Sequence, residues 1–170
     1  MSNIIILYGL PCAGKSTISE MLMKDINCNQ INIDDIWKKL FSNPKYTTEE
    51  SQIVFNEMLL QIQACLLNKV ETLLLEGVFA SISRLNIIQE IAKQNNYSLI
   101  SILLFNSIEN LIAIDQRRNI TSGHLITADS LINLNKKFNS REFCSIAINT
   151  SKVSIKQTTN LIRALLSNGK

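Results

Sequence analysis

The residues with the clearest chemical content are Gly9-Leu10-Pro11-Cys12-Ala13-Gly14-Lys15-Ser16, a complete G-x-x-x-x-G-K-[ST] sequence, followed by Thr17. Glycines at its two ends let the backbone curl until successive N–H groups point inward, a geometry that holds phosphate oxygens. Lys15 adds a mobile cation for the β- and γ-phosphates, and a hydroxyl at Ser16 suits a magnesium ion. Thr17 is placed to touch an α-phosphate. The ligand such a loop implies is ATP with Mg2+. Cys12 stands at a helix N-terminus, where a thiol tends toward a lowered pKa, although a small residue tolerated in the loop is the simpler reading.

Three more groups bear on transfer chemistry. Asp34-Asp35 follow a short apolar stretch. Asp34 is read as the residue that orients or deprotonates an acceptor hydroxyl, and Asp35 as a helix cap. Glu76 follows Thr72 and three leucines, the position of a Walker B acid, and is read as a second magnesium-side oxygen ligand. Arg117-Arg118 precede a polar stretch and are read as cations that close over the nucleotide. For each, a bland alternative exists: capping for Asp34, a strand-end hydrogen bond for Glu76, and charge at a helix C-terminus for the arginines.

The elements that must position these groups follow from periodicity. Strands are predicted over 3–8, 30–33, 72–75, 98–105 and 145–149. Helices are predicted from Lys15, with Ile18, Met21 and Leu22 on one face; from Asp34 to Phe41; and from Thr47 or Thr48 to about Asn68. The last carries apolar Ile53, Val54, Met58, Leu59, Ile62, Leu66 and Leu67. Further helices are predicted over 82–93, from Ser107 to about Arg118, from Thr127 to about Phe138, and after Ser154, with a polar connector over 119–126. Strand and helix alternate, which argues for a parallel sheet covered on both faces, with ligands at the carboxyl ends of the strands.

Totals narrow the classes. The chain has 170 residues, enough for one domain with a real core. Its apolar runs are too short to cross a bilayer, and no basic-then-apolar leader opens it, so no membrane association and a cytoplasmic location are expected. Four cysteines lack CxxC spacing, and His124 is the single histidine, so no zinc site or disulfide framework is indicated. Up to Asp115 there are eight Lys/Arg against twelve Asp/Glu, and from Gln116 onward nine against two. A basic C-terminal third suits a polyphosphate, but the charge is too modest to indicate nucleic acid. No Asp-x-x-Gly exists, and Asn68-Lys69-Val70-Glu71 precedes a strand and ends in the wrong acid, so a guanine-nucleotide switch is not indicated.

Taken together, Gly9-x-Pro11-x-x-Gly14-Lys15-Ser16-Thr17, Ile31-Asn32-Ile33-Asp34-Asp35 and Leu75-Glu76-Gly77 resemble the small P-loop kinases. They are similar to the kinase domain of phage-type polynucleotide 5′-kinases and to the zeta-toxin-like phosphotransferases, over the chain to about Phe138. The resemblance implies a three-layer α/β P-loop NTPase fold, with a five-stranded parallel sheet, an acceptor-side flap over 37–68 and a short lid over 117–127. It aligns Asp34 with the family's catalytic acid, Glu76 with an acid after the third strand, Arg84 with an arginine opening the next helix, and Arg118-Asn119 with the start of the lid. Asn149-Thr150 align with a loop near the adenine. The chain departs from the pattern in three places: Trp37 where polynucleotide kinases carry an arginine, Ser122 before Gly123 in the lid, and Cys12 where a glycine is usual. Trp37, Phe41, Tyr46 and Phe55 fall in the flap, where an aromatic could stack a base or sugar, with ordinary helix packing the stronger reading. The expected activity is transfer of the γ-phosphate of ATP to a hydroxyl of a small-molecule or nucleotide/polynucleotide acceptor. The alternative is a nucleotide-dependent regulatory module with weak hydrolysis and a protein partner. Neither the acceptor nor the oligomeric state follows from the sequence.

Overall fold

The structure is a computed structural model that describes residues 2–122 and 127–168, with the side chains of 118–122, 167 and 168 left out. Residues 123–126 of the expected lid, with His124, lie outside the described residues, as does the side chain of Arg118.

The most apolar stretches form the middle of a parallel sheet. β1 (Asn3–Tyr8) pairs with β3 (Thr72–Gly77) on one side and β4 (Ser98–Phe105) on the other. β2 (Asn29–Asn32) lies outside β3, and β5 (Ile146–Asn149) outside β4, giving the order β2-β3-β1-β4-β5 with every pair parallel. Ile4 through Tyr8 and Leu73 through Leu75 are fully buried, which a strand needs both faces covered to achieve. Right-handed crossovers put α1 (Lys15–Asp25) on one face, beside the terminal α7 (Ile155–Asn168). The same rule puts α3 (Thr48–Leu67), α4 (Ile82–Gln94), and α5 (Ile108–Ser122) with α6 (Ala128–Lys137) on the other. Three layers result.

Caps set the helix starts. Thr47 and Glu50 form a reciprocal capping box on α3, and Thr127 and Ser107 cap α6 and α5 through the amides of Ser130 and Asn110. α2 (Ile33–Leu40) starts one residue earlier than the sequence suggests. Asn32 caps it by accepting from the Asp34 amide at 2.8 Å, while Asp35, the expected cap, lies inside the first turn and pairs with Lys38 at 3.3 Å. α5 runs on to Ser122, so much of the expected polar connector is helical. On α3 the buried stripe is Val54, Phe55, Met58, Ile62 and Leu66. Ile53 and Leu67, apolar positions of the same helix, are exposed, because each sits a full 100° step off that stripe.

Candidate functional site

The loop between β1 and α1 is shaped by its backbone. Gly9 has φ +146°, and a Cβ there would lie 2.1 Å from the carbonyl oxygen of Leu104 on β4, so no side chain fits. Gly14, at φ +91°, is the left-handed N-cap of α1 and supplies no side-chain cap. The first turn of α1 also lacks an acid. Its amide donors and its positive end are therefore left for an anion. Cys12 adopts φ +63° without being glycine. The Lys15 ammonium, nearly buried, donates to the Leu10 carbonyl at 3.0 Å, and the Ala13 amide donates to the same oxygen at 3.3 Å. Loop and lysine thus close on each other around one carbonyl.

Beside the loop, the Ser16 hydroxyl donates to Glu76 Oε1 at 2.6 Å. Glu76 is 2% exposed, on the penultimate residue of β3, adjacent to Leu7 of β1. Its second oxygen accepts from Gln30 Nε2 at 2.7 Å, and the same amide nitrogen donates to Ser19 Oγ at 2.6 Å. A buried carboxylate and a hydroxyl in contact at the phosphate loop form a hard-oxygen pair that fits Mg2+. That ion is satisfied by one or two protein oxygens when phosphate and water supply the rest. No cluster of three His, Cys, Asp or Glu side chains that could hold a metal ion exists among the described residues.

The remaining expected groups are distributed along the same rim. Asp34 is exposed in the first turn of α2, just past the end of β2. β3 lies between β2 and β1, so Asp34 follows a strand that is second neighbour to the loop's own. Arg84 lies half-buried near the start of α4. It donates to Ser51 Oγ at 2.8 Å, its guanidinium is 4.8 Å from the Phe55 ring centroid, and burial lowers its pKa. Arg117 is exposed and turns back to the Ala113 carbonyl of its own helix. Asn149 accepts from the amide and hydroxyl of Ser151 in the loop after β5, and Thr150 is tied to the Phe105 carbonyl. Leu10 and Ala13 are buried beneath the loop, while Pro11 and Thr17 are half-exposed.

Three participants escaped the sequence reading. Gln30 orients Glu76, and nothing in a four-residue strand marks it. Asp115, on α5, is 5% exposed and accepts from the Cys12 thiol at 3.6 Å. Its signal was present, since it falls four residues after fully buried Leu111 on one helical face. The third is the segment after α6. Tyr8, at the end of β1, stacks with Phe138 (centroids 6.2 Å apart) and donates to the Ser140 carbonyl at 3.0 Å. The Ser140 hydroxyl donates to Phe79 at 2.6 Å, and the Asn139 amide to Ala80 at 3.2 Å. The segment after α6 is thereby fastened to the base of the loop and to the turn before α4.

No protein-family profile matches the sequence, and no curated protein matches it. Solved structures do. A gluconokinase from Sinorhizobium meliloti 1021 superposes with TM-score 0.71 at 15% identity, over 98% of this chain and 94% of that one. The APS kinase CysC of Mycobacterium tuberculosis, solved with AMPPNP and APS, gives 0.71 at 13% identity over 98% of both chains. A chain of the Pnkp1/Rnl/Hen1 RNA repair complex gives 0.67 at 17% identity, over 84% of this chain and 45% of that one. The agreement extends over the whole sheet and both helical layers, and on it the chain has the three-layer α/β fold of these kinases, with a five-stranded parallel sheet.

Proposed function

We propose that the chain is an ATP-dependent phosphotransferase that moves the γ-phosphate to a hydroxyl of a small-molecule or nucleotide acceptor. The observation that carries this reading is the 2.6 Å contact of Ser16 with buried Glu76 directly beside an uncapped, acid-free helix N-terminus. Kinases of small molecules among the structural neighbours support it. In this reading the amides of residues 9–17 bind the phosphates, and Lys15 exchanges the Leu10 carbonyl for a β/γ oxygen. Ser16 and Glu76 would hold Mg2+, which when bound would neutralise phosphate charge. Asp34 accepts the proton of the acceptor hydroxyl as its oxygen bonds to the γ-phosphorus and the bond to the β–γ bridging oxygen breaks, giving ADP. Arg118, with Arg117, covers the transferring group, and Asn149 lies by the adenine.

The test is calorimetry with Mg-ATP followed by a broad acceptor panel. Lys15→Ala is expected to abolish ATP binding. Asp34→Asn is expected to bind ATP within about twofold of wild type and to lose about 100-fold or more in transfer. Absence of any phosphorylated product, with Asp34→Asn indistinguishable from wild type, would overturn the reading. ATP turnover governed by a protein partner instead would point to a regulatory module.

A further inference from the structure

Resting on the reading of Asp34 as the acceptor-orienting acid, we infer that the flap carries a stacking platform for the acceptor, built from Tyr46 and Trp37. Its occupant is the planar base of a nucleoside or nucleotide. Trp37 lies three residues after Asp34 on α2, on the same helical face, one turn away. Its ring centroid is 4.9 Å from that of Tyr46, at 48°, and 5.6 Å from that of Phe41, at 43°. Phe41 and Trp37 both pack partly buried against the core, and Phe55 is buried under Arg84, so all three have a packing role, with Trp37 the floor beneath Tyr46. Tyr46 does not: it is 70% exposed.

Nor is Tyr46 loosely placed. It holds φ +56°, a left-handed conformation that a bulky side chain adopts rarely. The amides of the residues on either side of it are both held by one carboxylate. Glu50 Oε2 accepts from the Lys45 amide at 2.9 Å and from the Thr47 amide at 3.3 Å, while the Glu50 amide donates to Thr47 Oγ1. A turn held against its preference, presenting a large aromatic to solvent on top of a second ring, is the kind of strain that accompanies a binding surface. A flat aromatic ligand can stack on the exposed Tyr46 ring, which Trp37 backs from below at 48°, and every base offers such a face. An acyclic acceptor has no face to set against it. The placement beside Asp34 brings a ribose hydroxyl, attached to that base, toward the acid.

Trp37 is the only tryptophan, so its fluorescence reads the platform directly. The experiment saturates the phosphate loop with a non-hydrolysable ATP analogue and Mg2+. It then titrates nucleosides and 5′-nucleotides, glucose and gluconate into wild type, Tyr46→Ala and Tyr46→Phe, with circular dichroism to check folding. Steady-state transfer is measured on the same panel. Nucleosides are expected to quench Trp37; Tyr46→Ala is expected to raise their Kd and acceptor KM about tenfold to a hundredfold, while Tyr46→Phe stays near wild type and ATP affinity is unchanged in both. Quenching that depends on Tyr46, with no transfer to any acceptor, would leave the platform standing and remove the transferase reading. Transfer to glucose or gluconate with KM indifferent to Tyr46→Ala would do the reverse. A nucleoside signal that Tyr46→Ala leaves intact, or none at all, overturns the platform.

Discussion

Three neighbouring positions in the phosphate loop share an unusual backbone for different reasons, and substitution separates them. Gly9→Ala drives a methyl into the Leu104 carbonyl, which is backbone and cannot step aside, so a loss of about 3 kcal/mol is expected in urea unfolding. At Gly14 a methyl meets open space, and only the left-handed φ resists it; Gly14→Ala should lose about 1 kcal/mol. Cys12 already tolerates that region at φ +63°, so Cys12→Gly is expected to gain a few tenths to about 1 kcal/mol. A net loss in the same measurement would mean that its thiol contact with buried Asp115 outweighs the relaxed backbone. The sequence made the glycines and Lys15 legible because their spacing is itself the requirement. It could not show that Gln30 aims Glu76, since that bond depends on which strand lies beside which.

Between elements, the contacts that fix one part against another are few and specific. Thr47→Ala removes half of the capping box on α3 and should lower stability by about 1 kcal/mol, measured by thermal or urea unfolding. Tyr8 tests the fastening of the segment after α6. Burial raises its pKa above the ordinary 10.0, with the neighbouring Cys144 thiol a lesser cause. The folded chain therefore keeps the phenol proton that the unfolded chain loses above pH 10.0, and stability falls as pH rises past that point. Tyr8→Phe should lose about 1 kcal/mol at neutral pH, from the missing bond to Ser140, and should flatten the alkaline slope in unfolding measured from pH 8 to pH 11. Caps such as Thr47, Thr127 and Ser107 were readable because their side chains act on their own next turn. The Asp34-Asp35 pair misled, because the cap is Asn32, three positions before Asp35, which accepts from the Asp34 amide from the end of a strand and starts the helix one residue early. The fastening of 138–140 left no trace in the sequence, being made mostly by main-chain atoms more than fifty residues from their partners.

For the molecule as a whole, alternation of strand and helix was sufficient for a parallel three-layer fold, since only crossovers can join parallel neighbours. It was not sufficient for the strand order, in which β3 is inserted between β2 and β1. Ligand binding should be felt by the entire sheet, because the loop rests on its central strand. Mg-ATP at about 100 times its Kd should add about 2.7 kcal/mol, a rise of about 5–10 °C in Tm by differential scanning calorimetry, and Lys15→Ala should show none. The sheet's margins carry a different consequence. Its interior strands run six, six and eight residues, but both outer strands, Asn29–Asn32 and Ile146–Asn149, have only four. Each open flank thus offers a passing chain little ladder to extend, so copies crowded together or loosened by heat lack a ready seed for fibrous growth.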